Sequence, residues 1–351
     1  MPLTTVYSPD HAQHVPDGEI WMGIRIDGTE LPSRGQAILA AVSAVGHEVI
    51  APEEIDDGEL HSVHDQALVG FLRNAYEDWQ MSDYPRDPGQ NRVVPYAFPH
   101  PDMLAEGRRR LPTSVGARTG MFAMDTMTLV GPGTWQAVRA AAASALTAAN
   151  LVSRGSPIVY AAVRPPGHHA GRSFYGGSCY LNNAALAARR LADRSGETVA
   201  VIDIDAHHGN GTQQIFYETD QVFYGSVHID PDAGYFPHWV GFSDETGTGE
   251  GKGANTNITL APGTGDAGWL AGIQKLVDNS AKASSLVVSL GVDSFQNDPE
   301  SPLNVSVGAH HRAGQLIREL GLPTVVVQEG GYDLVHLGEL VAAFLDGLEN
   351  G

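Results

Sequence analysis

The sequence predicts an α/β fold: a single domain on a multi-stranded parallel sheet, with helices on both faces. Three observations carry that prediction. Apolar, β-branched runs such as VAVI (199–202), LVVSL (286–290) and VVV (325–327) have the character of strands buried on both faces. Between them lie helix-length segments, and strands alternating with helices build a parallel sheet covered on both sides. Finally, four strands run abruptly into polar clusters, and the carboxyl ends of strands are where open parallel sheets carry their sites.

Composition bounds the answer. A chain of 351 residues that is 42% hydrophobic and 18% charged can bury a large core, which excludes a disordered polypeptide. No internal repeat or interdomain linker divides it, so one domain over 1–351 is expected. A formal net charge of -20 lacks the basic stripe that nucleic acid requires. Cys179 is the single cysteine, which excludes an intramolecular disulfide and a thiolate zinc cluster. The first residues carry no basic and apolar leader, and no apolar run is long enough to span a bilayer. The expectation is a cytoplasmic protein with no membrane partner.

Along the chain, residues 1–32 are mixed and rich in turn formers. SRGQAILAAVSAVG (33–46) has helix periodicity, and HEVIAP after it reads as a short strand. Leu68, Phe71, Leu72 and Tyr76 share one face of a helix expected over about 63–79. Residues 80–119 differ in kind. Pro85, Pro88, Pro95, Pro99, Pro101 and Pro112 interrupt every possible element there, and Arg108, Arg109 and Arg110 form a small basic knot. A long irregular insertion in a compact enzyme points to an active-site rim or a subunit contact. An alanine-rich helix from Trp135 to about Val152 follows the PGTW turn, and strand IVYAAV (158–163) ends in RPPGHHA. A helix from Leu181 leads into the strand at 199. Further strands are expected at 221–227, 255–260, 285–291 and 324–329, with helices over 267–283, 305–320 and 333–349.

The chemistry gathers around VAVIDIDAHHGNGT (199–212). Asp203, Asp205 and His207 occupy alternate positions, which in extended chain point to one side. Ionisable groups buried at a strand end are costly without a cation or matched partners, so the pattern predicts a metal site. At the other strand ends RPPGHHA, GVDSF and EGGYD bring His168 and His169, Asp293 and Tyr332 toward the same rim. Two carboxylates and one imidazole from this rim, with no thiolate, suit a catalytic zinc ion with open positions. Fe2+ or another divalent ion fits the same nitrogen and oxygen donors. A two-metal D-x-H-x-D site is excluded by Gly209, which stands where the second aspartate would be. Other polar residues have blander expectations. His208 and His228 should satisfy local hydrogen bonds, and His310, His311 and His336 should lie on the surface. Cys179 should be a buried structural thiol, and the Asp57–Glu59 and Asp244–Glu245 acids should belong to solvated loops.

Taken together, RPPGHHA, YLNNAA, VIDIDAHHGNGTQQIFY, SLGVDSFQNDP and EGGYD closely resemble the zinc-dependent histone deacetylase family. The likeness is strongest to its bacterial acetylpolyamine amidohydrolase branch, and it extends to YSPDH, the VHD at 63–65 and PHWVGFSDETGTGEGKGANTN. The resemblance implies an arginase/deacetylase-like fold with Asp205, His207 and Asp293 as zinc ligands. It implies that His168 and His169 handle protons, held by Asp203 and Asn210, and that Tyr332 donates to the developing oxyanion. Because Asn210 offers an amide rather than a carboxylate, His169 should be the less basic of the pair. Potassium is implied beside the zinc, at Asp203, Asp205, His207, Ser226 and Val227. A second potassium is implied near Phe216, Thr219, Val222 and Thr256.

The substrate channel departs from the family's pattern. In GGSCY (176–180), Ser178 follows Gly177 where relatives carry an aromatic wall, which predicts a wider channel. GMFAMDTMT (120–128) has Asp125, but Met124 and Met127 stand where polyamine-specific relatives place acids for a second ammonium. The implied reaction removes acetyl from small N-acetylated primary amines such as acetylpolyamines, releasing acetate. The implied assembly is a homodimer whose 80–119 insertion narrows the entrance. A protein or peptide acetyl-lysine substrate is the alternative, favoured by the wider channel. A sensor that binds acetylated ligands without turnover would lack the tyrosine, a histidine or a metal ligand, and all are present.

Overall fold

The computed structural model describes residues 3–87, 89–104 and 110–350. In chain order its first half comprises β1 (Thr4–Val6), β2 (Glu19–Trp21), β3 (Ile24–Ile26), α1 (Pro32–Ala44), β4 (Glu48–Ile50), α2 (Asp57–Leu60), α3 (Gln66–Gln80), α4 (Val115–Phe122), α5 (Thr134–Ser153) and β5 (Ile158–Ala161). There follow α6 (Asn183–Ser195), β6 (Val199–Asp203), α7 (Asn210–Phe216), β7 (Val222–Ile229), β8 (Asn255–Leu260), α8 (Asp266–Ser280), β9 (Ser285–Leu290), α9 (Val307–Arg318), β10 (Thr324–Gln328) and α10 (Leu337–Asn350). Eight strands pair in the order β4-β1-β5-β10-β9-β6-β7-β8, and every pairing in this sheet is parallel.

The two-residue period of the strands divides the core. Val199 and Val201 of β6 pack with residues of α3, α5 and α6, whereas Ala200 and Ile202 pack with α1, α8, α9 and α10. Both faces are therefore covered, as the continuous apolar runs require. The sheet order also explains why the polar clusters meet. The strands that precede them, β5, β10, β9 and β6, are consecutive neighbours. The α6 N-cap fastens one cluster: the Asn182 side chain accepts from Ala185 N at 2.9 Å and donates to Ala170 O at 3.0 Å.

Several expectations need correcting. The turn-rich N-terminal stretch contains β1, a sheet strand of only three residues, and the antiparallel β2–β3 hairpin. Three residues are too few to show a period. The irregular 80–119 stretch ends in α4, which packs on α3. Pro88, Arg108 and Arg109 lie outside the described residues, and Arg110 is exposed. β6 stops at Asp203, so Asp205 and His207 sit in a bend rather than in extended chain. His310 is fully buried, packed against Trp269 and 3.2 Å from Ser294 Oγ, because it lies on the inward face of α9. Asp57 and Glu59 belong to α2 and pair with Arg73, Arg139 and Arg190, while Glu245 accepts from Gln213 and Gly241. Among the described residues no helix is long and apolar enough to cross a membrane.

Candidate active site

At the end of β6, Asp203 is buried and its Oδ2 accepts from His168 Nδ1 and Tyr224 Oη, both at 3.1 Å. The chain then bends so that Asp205, His207 and Asp293, which follows β9, each bring one ligand atom within 4.8 Å of the others. Asp205 Oδ2 accepts from Gly330 N at 2.8 Å, and Asp293 Oδ1 from Ala206 N at 2.7 Å. His207 Nδ1 lies 2.9 Å from Asp293 Oδ2, and its Nε2 lies 3.2 Å from Glu300 O. Asp205 and Asp293 are 1% and 0% exposed, and burial together with the Asp205 charge pushes Asp293 up to about 8. Two adjacent buried acids facing one imidazole are a poor arrangement without a cation and a good donor set with one. The backbone crowds the same spot: a Cβ on Gly330 would lie 2.6 Å from Asp205 Oδ2 and 2.7 Å from Asp293 Oδ2. Gly209 is equally tight, since a Cβ there would strike Asp203, and the position has no room for another carboxylate.

The tandem histidines stand in opposite electrostatic settings. Burial alone would lower His168, but the charges of Asp205 and Asp203 overcome it and raise His168 to about 10. His169 is lowered well below its ordinary value by burial and by the neighbouring imidazoles of His168 and His207. Its Nδ1 lies 2.7 Å from Asn210 Oδ1. An amide oxygen can only accept, so Nδ1 carries the proton and Nε2 is left with a free lone pair. Glu329, whose part the sequence did not disclose, holds this loop by accepting from Gly167 N at 2.7 Å and His168 N at 3.1 Å. Cys179 is buried beside His168 and Glu329, as expected of a structural thiol. His208 and His228 are buried and bonded locally, through Gln213 for the first and Ser226 and Gly241 for the second.

Tyr332 follows Gly331, whose φ of 124° suits glycine. Burial holds its phenol well above the ordinary value, so it is a protonated donor. Arg34 Cζ sits 4.7 Å from the ring centroid, and the same guanidinium donates to Gly331 O and Glu329 O at 2.6 Å each. Glu30, almost fully buried, joins Arg34 to Arg164. No periodicity or motif in the sequence singles out Glu30 or Arg34.

His169, His207 and Tyr332 line a pocket of about 80 Å³ together with Met127, Gly177, Ser178 and Phe236. Glu19 and Glu300 also line it; Glu300 is exposed and its charge acts on the half-buried Glu19, which puts both acids toward the solvent side of the pocket, its mouth. Phe236 meets the His169 ring edge-on at 4.8 Å, and a Cβ on Gly177 would strike the same ring. Apolar wall thus comes from Phe236 and Met127 where Ser178 supplies none. Asp125 does not line the pocket. Its carboxylate accepts from the backbone of Met127, Thr128 and Gly177, so it shapes the wall instead of facing a ligand. Ser226 and Val227 lie on β7, with Ser226 paired to Asp203 in register. Phe216, Thr219 and Val222 span the turn from α7 to β7, and Thr256 on β8 pairs with Gly225 of β7.

A histone deacetylase domain matches residues 29–348. The chain belongs to the histone deacetylase family. Membership makes it a deacetylase, a hydrolase of amide bonds. It is 38% identical over 350 residues to acetylpolyamine amidohydrolase 1 of Pseudomonas aeruginosa, covering 99% of both chains. It is 36% identical over 349 residues to acetylpolyamine amidohydrolase of Mycoplana ramosa, again covering 99% of each. The crystal structure of acetylpolyamine aminohydrolase from Burkholderia pseudomallei superposes with a TM-score of 0.93 at 36% identity, over 99% of each chain. The Burkholderia pseudomallei structure thus shares the fold described above over nearly its whole length.

Proposed function

We propose that the protein is a zinc-dependent amidohydrolase that deacetylates small N-acetylated amines carrying a second ammonium, the acetylpolyamine class. One observation carries this reading: the pocket that holds His169, His207 and Tyr332 has two carboxylates, Glu19 and Glu300, at its mouth. A cation tethered to the acetamide would meet negative charge there, and a neutral peptide flank would not. The names of the relatives support the same substrate class.

Asp205, His207 and Asp293 would hold the divalent ion, whose chemistry is to polarise the acetyl carbonyl and acidify a water toward about pKa 7. His169 Nε2 takes the water's proton and returns it to the departing amine. His168 stays charged beside Asp203 and steadies the negative charge that builds on the carbonyl oxygen. Tyr332 donates its phenolic proton in a hydrogen bond to that oxygen. Potassium at Asp203, Asp205, His207, Ser226 and Val227, and at Phe216, Thr219, Val222 and Thr256, would brace the loops behind these groups. We also propose a cytoplasmic homodimer. Exposed Trp21, Met22 and Ile24 on the hairpin and Tyr96, Phe98 and Met103 in the irregular segment support a subunit contact.

The test is a panel on zinc-loaded enzyme: N-acetylputrescine, N-acetylcadaverine, N-acetylspermidine and acetyl-lysine peptides. The diamine derivatives should release acetate with the highest kcat/KM. Preference for the peptides would favour the protein deacetylase reading, and no acetate from any of them would overturn both. Light scattering that finds a monomer would remove the dimer.

A further inference from the structure

The segment Asp298–Glu300, a few residues beyond Asp293, touches three working parts of the site. Asp298 is 6% exposed, and its Oδ2 accepts from Tyr332 N at 2.7 Å and Asp333 N at 3.2 Å. Its Oδ1 accepts from Glu300 N at 3.0 Å. Glu300 O in turn lies 3.2 Å from His207 Nε2, while the Glu300 carboxylate accepts from Thr29 Oγ1 at 2.7 Å. The NDP that ends SLGVDSFQNDP therefore has an occupation that neither metal binding nor proton transfer explains.

We propose that Asp298 is a positioning residue that sets the Tyr332 phenol in register with His207 and the pocket mouth. Three backbone N–H groups converge on one carboxylate, and a carboxylate is the only short side chain with acceptors on both sides. An amide in its place would turn an NH2 group toward one of those donors and release either Tyr332 or Glu300. The ring of Tyr332 is held from its face by Arg34. Asp298 fixes the backbone from which that ring projects, so the two constraints together define where the hydroxyl points. Displacement of a reacting group by about 1 Å costs on the order of 10² in rate. The inference rests on Tyr332 acting as oxyanion donor in the proposed deacetylation.

The test is a double-mutant cycle on zinc-loaded enzyme with N-acetylbutylamine, which has no second ammonium for Glu300 to hold. Asp298→Asn should lower kcat about 10²-fold with KM and zinc content held. In a Tyr332→Phe background the same substitution should cost almost nothing, because the hydroxyl it places is already gone. A full loss repeated in that background would assign Asp298 a merely structural role and overturn the proposal, as would wild-type kcat in Asp298→Asn. If the amide variant does not fold, Asp298→Glu keeps the charge, shifts it by one methylene and enters the same cycle with the same outcomes. Failure of the wild type to release acetate from any acetylated amine would sink the deacetylation reading itself. Turnover by the wild type with an additive cycle would sink only the role of Asp298.

Discussion

Asp203, Asp205 and Asp293 stand at or just beyond the ends of β6 and β9, neighbouring strands inside the sheet; Asp203 and Asp205 each accept at least two hydrogen bonds and Asp293 accepts one from Ala206 N. Glu19 and Glu300, at the mouth of the same pocket, stand on a two-stranded hairpin and a loop. The difference follows from what each region must do. Metal binding and proton transfer fail when a ligand or a lone pair moves by a fraction of a bond length, so the floor is built on the most rigid elements. Attraction of an ammonium falls off slowly with distance, so a carboxylate at the mouth needs the right sign and depth more than a fixed direction. Substitutions at the floor should therefore act on kcat and metal content, and substitutions at the mouth on KM.

The largest break in that contrast is expected at the metal ligands. His207→Ala should abolish both bound zinc and acetate release, with metal stoichiometry read by elemental analysis; a fully zinc-loaded variant would remove His207 from the ligand set. Next comes Tyr332→Phe, which should keep its zinc and lose on the order of 10²–10³ in kcat, the usual cost of one oxyanion donor. Wild-type turnover there would overturn the donor role.

Asn210→Asp probes the floor through pH. His169 must be neutral to accept a proton, and burial beside His168 holds its pKa well below the ordinary value. The acidic limb of kcat/KM should accordingly lie below the range of a free histidine. A carboxylate at position 210 would favour the imidazolium and raise that pKa, moving the limb to higher pH by on the order of one unit or more. An acidic limb unmoved by the substitution would show that some other group sets it.

The same contrast explains what could be read from the chain before folding. Asp203, Asp205, His207 and Asp293 were legible because charged residues directly after Val-Ala-Val-Ile, and within three residues of Leu-Val-Val-Ser-Leu, violate the apolar pattern, and the violation calls for a partner. The strands around them were legible for the same reason, their apolar runs being long. β1 was not, since Thr-Thr-Val is too short to show a period. Nor were the mouth acids: Glu19 sits among turn formers, and Glu300 ends a polar run in which one more acid is unremarkable. Asp125 stood out in sequence as an acid near the channel, yet its oxygens are occupied by backbone N–H groups. Sequence shows that a charge exists, and only the fold shows which atoms it already serves. His310 teaches the converse, a polar residue on a helix whose inward face could not be told from its outward one.

The smallest expected effect belongs to the mouth, and it discriminates most finely between substrates. An ion pair at a partly exposed site is worth about 1 kcal/mol at most, which is roughly fivefold in an equilibrium constant. Glu300→Gln should thus raise KM for N-acetylputrescine by about that factor and leave N-acetylbutylamine unchanged. The pH dependence carries a second signature. Burial first, then the Glu300 charge, pushes Glu19 up to about 7, so it loses its negative charge as pH falls through neutrality. KM for the diamine derivative should rise below pH 7, while KM for the monoamine stays level. Removing the Glu300 charge takes away one of the causes that raise Glu19, so in Glu300→Gln the rise in KM should begin at a lower pH than in the wild type. Equal responses of diamine and monoamine to both perturbations would mean that the mouth acids do not touch the substrate's second charge, and selection would then lie at Met127, Ser178 and Phe236.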